Sequence, residues 1–276
     1  MLNKSSTASK QHQLIALLKS YGSAAVGFSG GVDSSVLAKA AFEALGDKAV
    51  AITGASALMT DEEIAEARRT AKLIGIKHEV IKVDDLSDSR FTANDKMRCY
   101  YCHINRFKTM QAYMDKLGLK YILDGSNEDD KGDYRPGMIA LEEFAAAKSP
   151  FLDLHITKTE IRQMAKDWNL PVWNKPSSAC LASRLVYGLT VTEQRLIQVG
   201  KAEHIVRRYA KGQVRVRHHG ELARIEVEPS EIADICQTPV RETIESAIKA
   251  LGFKFVTVDM GGYKKGSNNI LLDKEK

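Results

Sequence analysis

The chain has 276 residues, 44% of them hydrophobic and 27% charged, with a net charge of +5 at neutral pH. These values are those of an ordinary globular protein of one large or two modest domains, and no run of about 18 apolar residues is present to span a membrane. The first apolar cluster, Leu14-Ile15-Ala16-Leu17-Leu18, is too short for a leader and follows His12 and Gln13, so a cytoplasmic protein is expected. Basic residues are dispersed among acidic ones. The densest cluster, Arg207 to His219, suits a small anionic substrate, and no nucleic-acid partner is expected.

A leading helix is expected over residues 11–21, then the short apolar strand Ala24–Phe28. Phe28-Ser29-Gly30-Gly31-Val32-Asp33-Ser34-Ser35 follows, and the stretch Val36–Phe42 is helix-permissive. Gly30 and Gly31 can take backbone angles closed to other residues and let a ligand approach the main chain. The amides of the turn and of the new helix's first turn have no intrahelical partners, so they form an anion cradle. Ser29, Ser34 and Ser35 add hydroxyl donors, and Asp33 can hold a divalent cation against bound phosphates. The common nucleotide loop GxxxxGK[ST] needs a lysine before its last residue, where this chain has Asp33. Ser-Gly-Gly-Val-Asp-Ser instead resembles the loop of the PP-loop ATP pyrophosphatases. That resemblance implies cleavage of ATP between its α- and β-phosphates, giving an adenylated substrate and pyrophosphate.

Further strands are expected at Ala49–Thr53, His78–Val83 and Tyr121–Asp124. Between them lie a helix opened by the capping box Thr60-Asp61-Glu62-Glu63 and another from near Cys102 to Leu117. The alternation predicts an α/β fold with a doubly wound, mostly parallel sheet, whose ligands bind at the carboxyl ends of the strands. The polar segments after the four strands all fall on that side. Thr157-Lys158-Thr159-Glu160 caps a helix ending near Trp168, and an irregular stretch runs from Trp173 to Arg184. After Gly188 the pattern changes to a helix at Thr192–Tyr209, an antiparallel pair Val214–His218 and Leu222–Val227, helices near Glu231 and at Val240–Leu251, and a strand Phe253–Asp259. Two domains are expected: 1–188, and a small α+β domain at 189–276. The tail beyond about Asn268 is expected to be loosely held.

The four cysteines are Cys99, Cys102, Cys180 and Cys236. Without a secretory context structural disulfides are not expected, so Cys99-Tyr100-Tyr101-Cys102 points to metal, cluster or redox chemistry. Two thiolates at this spacing can converge on one centre. With Cys180 they make a set of three ligands for a cubane iron–sulfur cluster, leaving one iron open. A zinc site completed by Cys180 and His103, and a dithiol redox pair, are alternatives. Cys236, among apolar residues at helical spacing, is expected to be a buried small hydrophobe.

The loop, Leu123-Asp124-Gly125, Asp133-Tyr134-Arg135-Pro136-Gly137, and Trp173 to Arg184 with Tyr187-Gly188 together resemble the LarE family. So do Val214-Arg215-Val216-Arg217-His218, Leu222–Glu226 and Asp259-Met260-Gly261-Gly262-Tyr263. The resemblance spans nearly the whole chain. It implies an ATP-dependent sulfur transferase of nickel-pincer cofactor synthesis, which adenylates a carboxylate of pyridinium-3,5-biscarboxylic acid mononucleotide and replaces it by a thiocarboxylate. It also implies a homo-oligomer built on trimers. In one type of the family the cysteine matching Cys180 gives up its own sulfur and becomes dehydroalanine. In the type with two further cysteines, matched here by Cys99 and Cys102, the three hold a [4Fe-4S] cluster that carries the transferable sulfide. This sequence has the second pattern.

Ser29, Gly30, Gly31, Asp33 and Ser34 are assigned to the pyrophosphate and Mg2+, and Ala51–Ser56 to the border of the adenine. Asp124 and Arg135 are placed at the nucleotide or substrate, and Arg184 at a phosphate or carboxylate near Cys180. Arg215 and Arg217 alternate along a strand and share one face, which suits a mononucleotide phosphate; an Arg–Glu ladder with Glu226 explains them equally well. Glu203 reads as part of a solvated helix face. Alternative functions are a PP-loop amide ligase of the NAD- or GMP-synthetase kind, a tRNA thiolase, and a non-catalytic zinc-stabilised nucleotide-binding module.

Overall fold

Ala24–Gly27 forms strand β1, and its side chains alternate between two cores. Ala24 and Val26 face one and Ala25 the other, the period of two that a strand covered on both faces requires. The computed structural model describes residues 4–131, 136–176, 179–264 and 266–268. The chain divides into two compact units, one of Met1–Asp85 with Cys99–Ser178 and one of Leu86–Arg98 with Ala179–Lys276.

In the first unit, helix α1 (Lys4–Tyr21) precedes β1, and α2 (Val32–Leu45) follows the glycine loop. Next come β2 (Ala49–Ala55), α3 (Asp61–Ile74) and β3 (Lys77–Lys82). The segment held in the second unit contributes α4 (Ser89–Thr92). After α5 (Arg98–Leu117) the chain forms β4 (Tyr121–Leu123), α6 (Pro136–Glu142), β5 (Ala147–Lys148), α7 (Pro150–Asp153) and α8 (Lys158–Asp167). The five strands are all parallel, in the order β3-β2-β1-β4-β5. The fold is the α/β, doubly wound arrangement expected.

One core joins α1, α2, α3 and α8 to Ala24, Val26, Ala51 and Leu123 of the sheet. The other joins Phe107, Met110 and Met114 of α5 to Ala25, Val50, Ile52 and Ile122. The reversal of strand order at β1 opens a crevice beyond the carboxyl ends of β1 and β4, and the glycine loop occupies it. Both capping boxes are formed: Thr60 with Glu63 opens α3, and Thr157 with Glu160 opens α8. Helix α5 starts at Arg98, ahead of the start expected near Cys102, because Arg98 is buried and anchored by its own hydrogen bonds.

In the second unit, α9 (Glu193–Val206) leads to β6 (Arg215–His219) and β7 (Leu222–Glu226), then to α10 (Ile232–Cys236), α11 (Val240–Lys249) and β8 (Phe255–Val258). β6 and β7 are antiparallel, with Arg215 opposite Glu226 and Arg217 opposite Arg224, and β8 joins β7 in parallel. Val206, Val216, Ile225, Ile244, Ile248 and Phe253 build its core. The Asn94 amide donates to the carbonyls of Val186 and Leu189 at 2.8 Å each, which fixes Leu86–Arg98 in this unit. Cys236 is exposed, contrary to expectation. It ends the five-residue α10, in which Ile235 alone is buried.

Candidate functional site

The turn after β1 is closed on itself. The Ser29 amide donates to Ser34 Oγ at 3.2 Å, the two hydroxyls are 3.2 Å apart, and the Gly31 amide donates to Ser29 Oγ at 3.3 Å. Gly30 has φ +69°, and a Cβ there would lie 2.9 Å from the Cα of Ala67 in α3, so glycine is required on both counts. A Cβ on Gly125, just past β4, would lie 3.4 Å from Cβ of Asp33. A side chain at Gly125 would therefore be in van der Waals contact with Asp33.

Asp33 sits in the first turn of α2. Its Oδ2 accepts from the Lys158 ammonium, while its Oδ1 is buried with no hydrogen-bond partner among the described residues. Burial raises the carboxyl above its usual range, the Asp130 charge adds to the rise, and Lys158 only partly offsets them. A buried carboxylate oxygen left without a donor beside a nest of amides fits a divalent cation. Lys175 reaches the same loop, donating to the Gly30 carbonyl at 3.1 Å and to Glu66 at 2.8 Å. At the neighbouring strand ends, Arg106 donates to Ser56 Oγ at 3.1 Å and pairs with buried Asp85 at 3.4 Å. Thr53 donates to the Phe28 carbonyl at 2.6 Å and meets His78 Nε2 at 2.8 Å. Asp124 turns its Oδ1 to the Ser126 amide of its own loop.

Cys99 and Cys102 lie in the first turns of α5, three residues apart and so on one helix face. Cys102 is buried and Cys99 half-buried, and none of the four cysteines is in a disulfide. Two thiols so placed fit neighbouring positions on one metal centre. Among the described residues no group of three or more His, Cys, Asp and Glu side chains is set to hold an ion.

In the second unit exposed Cys180 leads into a 3-10 turn, Leu181–Arg184, whose carbonyls are held by cationic side chains. Arg184 Nη1 donates to the carbonyls of Ala179 and, at 3.0 Å, of Cys180. Arg98 takes the Ala182 carbonyl at 3.0 Å; Arg217 takes that of Ser183 at 3.1 Å, with Asn268 on the same oxygen at 3.0 Å. Arg184 is buried and forks onto Glu203 at 2.7 and 3.1 Å. Glu203 also accepts from Arg207 at 2.8 Å and from the Val216 amide at 3.2 Å, so it belongs to the interior and not to a solvated face. Burial would raise its carboxyl, but Arg184, with Arg207 and Arg215, holds it below the usual range. Arg217 pairs with Glu226 at 2.8 and 3.0 Å, the ladder arrangement, while Arg215 donates to the Val214 carbonyl at 2.7 Å with its guanidinium 5.5 Å from the Tyr263 ring.

The NAD synthase family model matches residues 12–109, which contain the loop and the first three strands. An uncharacterized protein of Synechocystis is 41% identical over 251 residues, covering 91% of this chain and 93% of that protein. The pyridinium-3,5-bisthiocarboxylic acid mononucleotide synthase of Lactiplantibacillus plantarum is 35% identical over 268 residues, 97% of this chain and 96% of that one. The chain belongs to the LarE family. A tRNA-specific 2-thiouridylase of Clostridium tetani is 28% identical over a stretch covering 55% of this chain and 53% of that protein, so the likeness to the synthase extends over much more of the chain than the likeness to the thiouridylase.

For this LarE chain, Ser29, Gly30, Gly31, Asp33 and Ser34 are gathered in one loop, with Lys158 and Lys175 joining them. Cys99 and Cys102 lie on α5 of the first unit, and Cys180, Arg184, Arg215 and Arg217 in the second. Arg135 falls outside the described residues, as do Asp133, Tyr134, Ser177, Ser178 and the tail beyond Asn268. Lys158 and Lys175 meet the loop from more than a hundred residues away; Lys175 lies within the Trp173 to Arg184 segment that carries the family resemblance, but no spacing ties either lysine to the loop. Arg98 could have been suspected only as a cation directly beside the first cysteine.

Proposed function

We propose that the protein is an ATP-dependent sulfur transferase that converts a carboxylate of pyridinium-3,5-biscarboxylic acid mononucleotide to a thiocarboxylate. The observation that carries this is the glycine loop at the strand-order reversal, with a buried carboxylate oxygen of Asp33 left without a donor. A substrate carboxylate oxygen attacks the α-phosphorus of ATP. The bond to the β-phosphate breaks and its electron pair leaves on pyrophosphate. The amides and hydroxyls of Ser29 to Ser34 bind the leaving group without moving a proton, as charge stabilisation by fixed dipoles requires. Asp33 would hold a bound Mg2+, which supplies neutralisation of the phosphates. In the second step a sulfur nucleophile adds to the acyl carbon of the adenylate and AMP departs.

For the sulfur source we favour a [4Fe-4S] cluster on Cys99, Cys102 and Cys180, which would supply the transferable sulfide. The pairing of Cys99 with Cys102 on one helix face supports it. The alternative is Cys180 itself: its Sγ attacks the acyl carbon, AMP leaves, and elimination across Cα–Cβ frees the thiocarboxylate and leaves dehydroalanine. Exposure of Cys180 on a turn held by Arg98, Arg184 and Arg217 is compatible with either.

The test is incubation of the protein with the biscarboxylic mononucleotide, ATP, magnesium and sulfide. AMP, pyrophosphate and a product with oxygen exchanged for sulfur are expected in step. Asp33→Asn should abolish AMP formation with the fold intact, because an amide offers a dipole where a carboxylate offers a full charge. AMP release by that variant at the wild-type rate would remove Asp33 from the site.

A further inference from the structure

In the reading above the glycine loop receives pyrophosphate, but the same reaction puts charge on a second group. When a sulfur nucleophile adds to the acyl adenylate, the bond from the acyl carbon to the phosphate oxygen breaks and its electron pair leaves on AMP. The neighbouring strand end is where the nucleoside half of the ligand is expected. β2 lies beside β1 in parallel register, one strand spacing of about 5 Å away. The cation at the end of β2 is Arg106 of α5.

Arg106 is fixed there by two contacts. Its Nη2 donates to Ser56 Oγ at 3.1 Å and to Asp85 Oδ2 at 3.4 Å. Asp85 is buried just past β3, and no donor meets its Oδ1 among the described residues, so its charge faces the guanidinium. The Arg106 side chain is 27% exposed, and a ligand can reach it. Gly54 puts no side chain over it: a Cβ there would stand 3.9 Å from Nη1. A guanidinium stays charged, and its planar fork of donors meets two phosphate oxygens at once.

The helix adds a second relationship. Cys99 and Cys102 precede Arg106 by seven and four residues, which puts all three on one face of α5. One turn separates Cys102 from Arg106, about 6 Å along the axis. Met110, a further turn on, meets the end of β1, where a Cβ on Gly27 would stand 3.8 Å from its Cε. The face that carries the two thiols therefore continues onto the strand ends through Arg106.

We propose that Arg106 holds the α-phosphate of ATP and, after adenylation, the phosphate of the AMP leaving group. As the carbon–sulfur bond forms and the carbon–oxygen bond breaks, the electron pair collects on an AMP oxygen beside the guanidinium. The guanidinium neutralises that charge and keeps its own protons. Asp85 and Ser56 act through Arg106, by fixing where its fork points. This rests on the ATP-cleaving reading above but not on the identity of the acyl substrate or the sulfur source.

The experiment is calorimetric binding of ATP, AMP, adenosine and inorganic pyrophosphate, with magnesium present throughout, to the wild-type protein, Arg106→Gln and Arg106→Lys. Arg106→Gln leaves the Asp85 charge buried without its cation. AMP binding is therefore repeated in an Asp85→Asn background, with melting temperature as the control for folding. Arg106→Gln is expected to weaken AMP and ATP by roughly tenfold to a hundredfold, the size of one charged hydrogen-bonding group, while adenosine and pyrophosphate change by less than about twofold. Arg106→Lys keeps the charge without the fork and should recover part of the loss. In the Asp85→Asn background the Arg106→Gln effect on AMP should persist. Unchanged AMP binding, equal weakening of adenosine or pyrophosphate, or silence of Arg106→Gln once Asp85 is neutral would overturn the proposal and leave Arg106 as a counter-ion of Asp85. Failure of the wild-type protein to bind ATP would instead defeat the ATP reading itself, before any substitution is compared.

Discussion

Arg184 and Glu203 form a buried, two-pronged ion pair, at 2.7 and 3.1 Å, that ties the turn after Cys180 to α9. The same guanidinium holds the Ala179 and Cys180 carbonyls, so one side chain sets the backbone on which the exposed thiol is carried. Glu203→Gln keeps the shape but leaves the Arg184 charge buried without its counter-charge. Breaking a buried pair by removing one partner costs about 3–5 kcal/mol. Urea unfolding should show a loss of that order, and hydrogen exchange should show faster exchange of the Ser183 amide, which now donates to the Cys180 carbonyl. Unchanged stability would mean that the pair is not a tether.

The sheet, the phosphate loop and the second domain's strand pair were legible because each repeats a local rule: apolar strand, glycine turn, helix start. Less legible was everything that depends on long-range charge pairing. Glu203 looks like one face of a polar helix until Arg184 and the β6 backbone are folded against it. Cys236 looks like a core residue because its neighbours are apolar, yet a five-residue helix buries only one side. Lys158 was visible only as part of a helix cap, since nothing in sequence spacing links it to Asp33. The segment Leu86–Arg98 groups with the C-terminal unit through the side-chain amide of Asn94, a device that carries no periodicity.

His218 should make stability depend on pH. Burial, with the charge of Arg195 and the neighbouring His219, holds its imidazole down at about 4 from an ordinary 6.5. Its Nε2 meets the Gln198 side-chain oxygen at 3.1 Å, so the neutral ring donates there. A base whose folded-state value is depressed binds fewer protons folded than unfolded. Stability is therefore full above about 6.5 and falls as pH drops from there towards about 4. Denaturant midpoints across that window should decline in the wild-type protein and flatten in His218→Asn. A slope that is identical in the variant would assign the dependence to other groups.

Arg215 and Arg217 share a strand face but differ in their partners, so their replacements should separate. Arg217→Gln removes the nearer of the two arginines paired with fully buried Glu226, leaving Arg224 at 3.1 Å, and one support of the Ser183 carbonyl. It should lower the melting temperature in the manner of a broken buried pair. Arg215 is pushed below its ordinary value by burial and by the Arg184 charge, against the pull of Glu203. A second cation held that close to Arg184 favours an incoming anion. Arg215→Gln should raise KM for the mononucleotide by about tenfold, the effect of one charged hydrogen bond, with ATP affinity unchanged. If Arg215→Gln alters only stability, the mononucleotide phosphate binds elsewhere.

The sulfur source is decided by the cysteines taken one at a time. If Cys99, Cys102 and Cys180 act as one ligand set, anaerobically purified protein should be brown. Metal analysis should then give about four irons and four sulfides per chain, as a cubane cluster requires. Serine at any of the three positions should abolish the colour and sulfur transfer together, because a cluster held at three corners does not survive the loss of a thiolate. Cys236→Ser should leave both intact, since that thiol is exposed at the end of a short helix and is not placed with the others by any spacing. Supplied with sulfide and ATP, the protein should then turn over repeatedly with Cys180 unchanged in mass. Sacrificial donation predicts the reverse on every count: a single turnover, tolerance of Cys99→Ser and Cys102→Ser, and loss of the elements of hydrogen sulfide from Cys180. Intact-protein mass spectrometry after turnover separates the two, and dehydroalanine at position 180 appearing in step with product would end the cluster proposal.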